Sequence, residues 1–153
     1  MPEARFAALA GAAIAIAGDH AGFALKRALK EALVRWGVPH EDLGTHGESS
    51  VDYPDFARVL AAGVAAGQYR LGVLVCGTGL GMAMAANRQR GVRAAPCTDA
   101  YAARMTRLHN DANVLCLGSR IVGPGLAEDI LEAFLVASFE GGRHADRVAK
   151  IEL

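Results

Sequence analysis

The stretch Leu71–Ala83, LGVLVCGTGLGMA, decides the fold of this 153-residue chain. It opens with a short apolar run, rich in β-branched residues, that is typical of a buried strand in a parallel sheet. A glycine-rich turn follows, and the small residues after it favour a helix. A turn between a strand and a helix gathers backbone N–H groups and the positive end of the helix dipole. The stretch therefore predicts a cradle for an anion or a developing oxyanion, which also holds the thiol of Cys76 and the hydroxyl of Thr78.

Two nucleotide-binding motifs are close to this turn without matching it. A P-loop requires a Gly-Lys-Ser/Thr ending, which the stretch lacks. The spacing of Gly77, Gly79 and Gly81 also differs from the dinucleotide fingerprint in its last interval. A phosphate loop and a plain tight turn remain alternatives, but a reactive side chain in the turn is the favoured interpretation.

Composition limits the class of protein. A chain of 153 residues is long enough for one domain with a substantial core, so residues 1–153 are taken as a single domain. Sixteen basic residues balance sixteen acidic ones, which argues against general binding to nucleic acid or to an anionic membrane. Three cysteines without framework spacing favour a reducing compartment, so we expect a cytoplasmic location. The spacings typical of metal sites are missing, and we expect no metal and no cofactor.

The first seventeen residues resemble a weak secretion signal. Against that interpretation, Glu3 stands where such signals carry positive charge, and the apolar run leads directly into Gly18. The run is also too short to cross a membrane. We therefore predict that residues 13–17 form the first strand.

Strands and helices alternate along the rest of the chain. Further strands are predicted at residues 40–43, 71–76, 92–96 and 114–117. Helices are predicted at residues 23–36, 54–66, from the glycine turn to about 88, from 98 or 99 to 108, around 126–135, and 143–151. Because parallel strands need covering crossovers, this order predicts a three-layer, doubly wound, Rossmann-like α/β fold with a five-stranded parallel sheet.

Ligands in such sheets bind at the carboxyl ends of the strands. We apply that rule to the polar segments between the elements and expect them to form one pocket. The segments are Asp19-His20, residues 44–52, Cys76-Gly77-Thr78, Thr98-Asp99 and His109-Asn110.

Six motifs in this sequence occur in the order shown by one known family. They are Gly18-Asp19-His20-Ala21-Gly22, Asp52-Tyr53-Pro54, Cys76-Gly77-Thr78-Gly79-Leu80-Gly81, His109-Asn110-Asp111-Ala112-Asn113, Gly118-Ser119-Arg120 and Gly141-Gly142-Arg143-His144. With them the chain resembles ribose-5-phosphate isomerase type B, whose wider family includes the galactose-6-phosphate isomerase subunits. The resemblance extends from about Ile14 to Ile151.

The resemblance implies a cofactor-free aldose–ketose isomerisation through a cis-enediolate, within the pentose phosphate pathway. It makes Cys76 the base, and a helix N-terminus favours the thiolate that this role needs. Thr78 and the N–H groups of the turn would hold the enediolate oxygen. His109 would open the sugar ring, since an imidazole moves protons near neutral pH. The N–H groups concerned belong to Gly77, Gly79 and Gly81.

The resemblance also implies how the substrate is held. Four residues would contact the sugar hydroxyls or the phosphate: Asp19, His20, Tyr53 and Asn110. Arg143 and Arg147, four residues apart on the last helix, suit a phosphate dianion. Arg120 would be a further phosphate contact, supplied by a partner subunit. We therefore expect a homodimer or a dimer of dimers with shared active sites, in which the C-terminal helix takes part in dimerisation.

Each assignment has a structural alternative. Cys76 could be an inert strand-end cysteine, which is how Cys97 and Cys116 are interpreted. Thr78 could serve only the turn, Asp19 could cap the following helix, and His109 could be an ordinary C-terminal helix residue. The two arginines could form a solvated basic face. At the level of function, the alternatives are another sugar phosphate, a non-catalytic sugar-phosphate-binding subunit and a nucleotide-binding module.

Overall fold

Five parallel strands lie in the order β2-β1-β3-β5-β4 in the computed structural model, which describes residues 1–152. The strands are β1 (Ile14–Gly18), β2 (His40–Asp42), β3 (Gly72–Cys76), β4 (Ala94–Pro96) and β5 (Val114–Gly118). The helices are α1 (Phe23–Arg35), α2 (Tyr53–Ala65), α3 (Leu80–Ala86), α4 (Ala100–Asn110), α5 (Pro124–Val136) and α6 (Arg143–Ile151). The predicted α/β class and the five-stranded parallel sheet are confirmed.

The sheet is buried on both faces, and its three central strands have no exposed residue. Along them, alternate side chains enter two different cores. Ile16, Val75 and Leu117 face α1, α4 and α5, while Ala17, Leu74 and Cys116 face α2 and α3. The side chain of Cys76 belongs to the second core, so it lies under the helices that follow β2 and β3.

The order of the strands indicates where in the sheet a ligand would bind. The chain passes from β1 outward to β2 and then crosses back to β3, which pairs with the other edge of β1. This reversal makes the carboxyl ends of β1 and β3 a topological switch point, where doubly wound sheets bind ligands. At that end Gly18 is opposite Val75, and Cys76 is opposite Gly118 of β5.

A short 3₁₀ segment at Ala4–Leu9 precedes the sheet and was not predicted. Its Phe6 and Leu9 are buried, and the Phe6 ring stacks on Trp36 with 4.9 Å between ring centroids. The backbone N–H of Glu3 donates to the Trp36 carbonyl at 2.9 Å. The residues outside the family resemblance therefore complete the core beside α1 and α5. The strand predicted for the following run is confirmed as β1.

The loop after β2 is fixed by a buried ion pair. Lys26 is 1% exposed, and its Nζ donates to Asp42 at 2.6 Å and to the Thr45 carbonyl at 2.5 Å. Partial burial alone would raise the pKa of Asp42, but hydrogen bonds from Lys26, Lys30 and the Gly44 N–H outweigh it and lower that pKa from 3.8 to about 2. These bonds hold the loop that leads from β2 to the carboxyl end of the sheet.

The last helix packs on α4 of its own chain. Of the nine residues of α6, all within the described part, only His144 is buried. Beyond the other end of α6, the Glu152 carboxylate accepts hydrogen bonds from Arg93 and from the Gly91 N–H. Contacts within one chain therefore hold α6 at both ends, and its role in dimerisation stays a prediction. Across residues 1–152, every helix is either too short or too polar to span a membrane.

Candidate active site

The glycine turn after β3 has the predicted strand–turn–helix form. Cys76 ends the strand with 4% of its surface exposed, and the backbone N–H of Gly79 donates to its Sγ at 3.1 Å. Gly79 has φ +78°, a left-handed conformation that glycine adopts at little cost. The Thr78 hydroxyl accepts from the Leu80 N–H at 3.3 Å, so Thr78 does serve the turn. An N–H aimed at the sulfur stabilises negative charge there, as a thiolate base requires.

Gly81 allows Tyr53 to lie against the turn. A Cβ at position 81 would be 2.6 Å from Cζ of Tyr53 and 3.0 Å from its hydroxyl oxygen. Tyr53 is the first residue of α2 and is 40% exposed, so its ring borders the crevice. The close contact explains why a glycine stands at this place in the turn.

The end of β1 brings Asp19 and His20 to the same crevice. Asp19 is 6% exposed, and its Oδ1 accepts from the Gly22 N–H at 3.0 Å, so it also supports the start of α1. The Val51 N–H donates to Nδ1 of His20 at 3.1 Å, which leaves the proton of the neutral ring on Nε2. His20 therefore offers an N–H donor from Nε2.

Arg120 lies against Gly77, the residue after the thiol, in the same chain. Its backbone N–H donates to the Gly77 carbonyl at 3.0 Å. Its guanidinium Nη1 is 3.2 Å from the position that a Cβ on Gly77 would occupy. The turn after β5 therefore packs directly on the turn after β3, so Arg120 adjoins the glycine turn of its own chain, and its supply by a partner stays a prediction. We call Asp19, His20, Tyr53, Cys76–Gly81 and Arg120 the thiol cluster.

His109 and Asn110 lie at the other end of the sheet. They form the last turn of α4, which begins beyond the carboxyl end of β4 and ends before the amino end of β5. β5 is about 13 Å long, at a rise of 3.3 Å per residue, and Cys76 lies beside its far end. Placing them in one pocket with Cys76 was wrong for a single chain, since residues that precede a strand lie at its amino end.

His109 belongs to a second polar group, which we call the histidine cluster: His109, Asn110, Arg143 and Arg147. Arg143 and Arg147 are exposed on α6. His144, between them in sequence, turns inward and stacks on the His109 ring, with 4.3 Å between centroids and 11° between planes. Sequence reasoning gave no role to His144 or Glu140. Their i, i+4 spacing across the glycine pair could have indicated that the two side chains lie close together.

The other two cysteines differ from Cys76 in their surroundings. Burial, with the nearby Asp99 charge, raises the pKa of Cys97 to about 11. Burial also raises the pKa of Cys116 well above its usual range. Both thiols stay protonated at neutral pH, which agrees with their interpretation as inert core residues.

The chain has close relatives of known class. The profile of the family described as Ribose/Galactose Isomerase matches residues 14–151. Ribose-5-phosphate isomerase B of Escherichia coli is 47% identical over 138 residues, which cover 90% of this chain and 93% of that protein. D-erythrulose-4-phosphate isomerase of Pectobacterium atrosepticum is 43% identical over 140 residues, which cover 90% of this chain and 91% of that protein.

Solved structures agree with the sequence matches. Ribose-5-phosphate isomerase B from Clostridium thermocellum has a TM-score of 0.90 and 52% identity, over 92% of this chain and 95% of that one. The Mycoplasma genitalium enzyme with bound ribulose-5-phosphate has a TM-score of 0.87 and 44% identity, over 91% and 93%. The predicted resemblance to the type B isomerases is confirmed over almost the whole length. This chain belongs to the ribose/galactose isomerase family.

Proposed function

We propose that the chain is a cofactor-free isomerase that interconverts D-ribose 5-phosphate and D-ribulose 5-phosphate through a cis-enediolate. The single observation that carries the proposal is the Gly79 N–H that donates to Cys76 Sγ at 3.1 Å, in a turn that also holds Thr78. A thiolate kept in this setting has the charge and the position of a general base at the switch point of the sheet.

The reaction needs no external oxidant or reductant, because C1 of the sugar is reduced while C2 is oxidised. The Cys76 thiolate takes the proton from C2 of the open-chain aldose, and the C–H electron pair becomes the C1–C2 double bond. The charge moves onto the C1 oxygen, where Thr78 and the N–H groups of the turn stabilise it. The proton of the C2 hydroxyl moves to the C1 oxygen, C2 becomes the carbonyl, and the Cys76 thiol returns its proton to C1.

Binding is assigned to the polar ends of the strands. Asp19, His20 and Tyr53 surround the crevice and would hold the sugar hydroxyls. Arg120 contributes a guanidinium at the edge of the thiol cluster, which suits the phosphate. All of these groups lie in one chain, on the segments at the carboxyl ends of β1, β3 and β5 and at the start of α2.

The complete site requires two copies of the chain. His109, as the ring-opening group, must touch the same sugar as Cys76, but β5 separates the two residues within one chain. A two-fold dimer brings the histidine cluster of one copy to the thiol cluster of the other, in both directions at once. Asn110, Arg143 and Arg147 would then close over the sugar and its phosphate from the partner. The three free thiols agree with a cytoplasmic enzyme.

The substrate is tested by coupled assays of the purified chain with phosphorylated pentoses, tetroses and hexoses, without added metal. We expect the highest kcat/KM with ribose 5-phosphate and ribulose 5-phosphate. A preference for a tetrose 4-phosphate would support the second candidate, which the Pectobacterium relative favours. A hexose 6-phosphate is the further variant of the same chemistry. Binding without turnover of any substrate would indicate a non-catalytic sugar-phosphate-binding subunit.

A further inference from the structure

Three side chains that can each bind a metal ion lie close together where α4 meets α6. They are His109, Glu140 and His144, and one atom from each lies within 4.8 Å of the other two. We propose that these residues bind a divalent transition-metal ion, Zn²⁺ by preference, and that the bound ion blocks His109. Two imidazole nitrogens and one carboxylate oxygen form a donor set that Zn²⁺ accepts, with water completing the coordination.

The backbone already brings the three residues together. The Glu140 N–H donates to the Leu108 carbonyl at 3.0 Å, which keeps its carboxylate next to His109. The Glu140 carboxylate is 3.5 Å from Nε2 of His144. His144 is 8% exposed, whereas Glu140 is exposed, so the group is closed on its inner side and open to water on its outer side.

Coordination requires only a local adjustment. Ligand atoms around a tetrahedral zinc are about 3.4 Å apart, so the present separations must shrink by at most about 1.4 Å. The stacked rings must also rotate, because their planes differ by only 11°. Glu140 is joined to α6 by Gly141 and Gly142, both at positive φ, and glycine tolerates changes of backbone conformation that other residues do not.

The local electrostatics favour a cation. His109 lies in the last turn of α4, whose negative dipole end attracts positive charge. His144 lies in the first turn of α6, whose positive end opposes a cation there. The effects of the two helix dipoles on a bound cation therefore offset each other. The remaining attraction for the cation comes from the Glu140 carboxylate. Arg143 and Arg147 are both exposed, so solvent and salt screen their charges.

The consequence for activity rests on the proposed function, but the binding does not. A metal ion on a ring nitrogen of His109 removes the lone pair that ring opening would use. Zn²⁺ should therefore slow the turnover of cyclic ribose 5-phosphate, and a chelator should restore it.

The binding test is equilibrium dialysis of the full-length protein against Zn²⁺ alone. We expect one ion per chain, and a loss of affinity greater than about 100-fold in His144→Phe and in Glu140→Gln, since even outer-shell changes cost 10–100-fold. Phe preserves a ring against His109, and Glu140 is exposed, so both variants should fold. His40→Phe is the matched histidine control and should bind as the parent does. Parent-like affinity in both site variants, or no binding by the parent, overturns the proposal.

Two further measurements keep the outcomes distinct. Loss of binding in Cys76→Ala would assign the ion to the thiol and overturn the site. In the assay, Glu140→Gln should keep parent activity and resist Zn²⁺, while inhibition equal to the parent would overturn the link to His109. If the parent has no isomerase activity, the proposed function fails, but dialysis still decides the metal site.

Discussion

Subunit mixing tests how the proposed active site is divided between two chains. Cys76→Ala disables the thiol cluster, and His109→Asn disables the histidine cluster. If each site takes one cluster from each copy, a mixed dimer has one doubly defective site and one intact site. Arg120→Ala, in contrast, disables the same cluster as Cys76→Ala, because Arg120 lies against Gly77 in its own chain.

The expected recovery follows from the symmetry of the dimer. Random exchange of equal amounts of Cys76→Ala and His109→Asn gives mixed dimers in half of the population. One of their two sites is intact, so about 25% of the parental activity should return. The mixture of Cys76→Ala with Arg120→Ala should stay inactive, since every thiol cluster in it carries one of the two changes.

The assay is ribose 5-phosphate isomerisation after exchange, with exchange verified by mass labels on one variant. Activity in the Cys76→Ala and Arg120→Ala mixture would mean that Arg120 acts across the interface, against its position in the structure. No recovery with Cys76→Ala and His109→Asn, despite verified exchange, would refute the division of the site. Each variant alone provides the baseline.

Three further perturbations test single residues. Cys76→Ala should lower deuterium exchange at the substrate carbon by about 10²–10⁴-fold while substrate binding remains, and Cys97→Ala should exchange like the parent. His109→Asn should slow the turnover of ribose 5-phosphate, which is mostly cyclic, far more than that of ribulose 5-phosphate when the aldose is trapped as it forms; equal losses in both directions would assign His109 to another step. Asp42→Asn should lower the free energy of unfolding at pH 7 by roughly 1 kcal/mol after allowance for screening. Because the pKa of Asp42 is depressed to about 2 in the folded state, its stabilisation is complete above about pH 4 and is lost as the pH falls toward 2. Urea titrations of parent and variant should therefore converge near pH 2, and a constant difference down to that pH would contradict the assignment.

The local patterns in the sequence were sufficient to predict the strands of the sheet. The apolar runs at 72–76 and 114–118 are buried strands, and the glycine turn between β3 and α3 forms as its composition indicates. Helix ends were less predictable. α4 continues to Asn110 rather than stopping at Leu108, because the chain turns only where Asp111 adopts φ +47°. Aspartate tolerates this conformation better than most residues, but nothing in the local sequence requires it.

Contacts between residues that are far apart in sequence could not be predicted from local sequence patterns. The 3₁₀ segment has no periodic pattern, and burial of Phe6 against Trp36 holds it in place. The buried Lys26 is acceptable only because Asp42 and the Thr45 carbonyl satisfy its charge. A lysine on a helix gives no sign of such a partner sixteen residues away.

The position of His109 shows why topology must be combined with motif recognition. The rule that ligands bind at carboxyl ends applies to residues that follow a strand, and His109 precedes one. Asp19 and Arg120 follow β1 and β5, Cys76 ends β3, and the structure brings these three residues to one edge of the sheet. His109 could join them within one chain only if the order of α4 and β5 were reversed. If both groups of residues act on one sugar, we therefore expect His109 to come from a second copy of the chain, because strand direction places it at the opposite end of its own sheet.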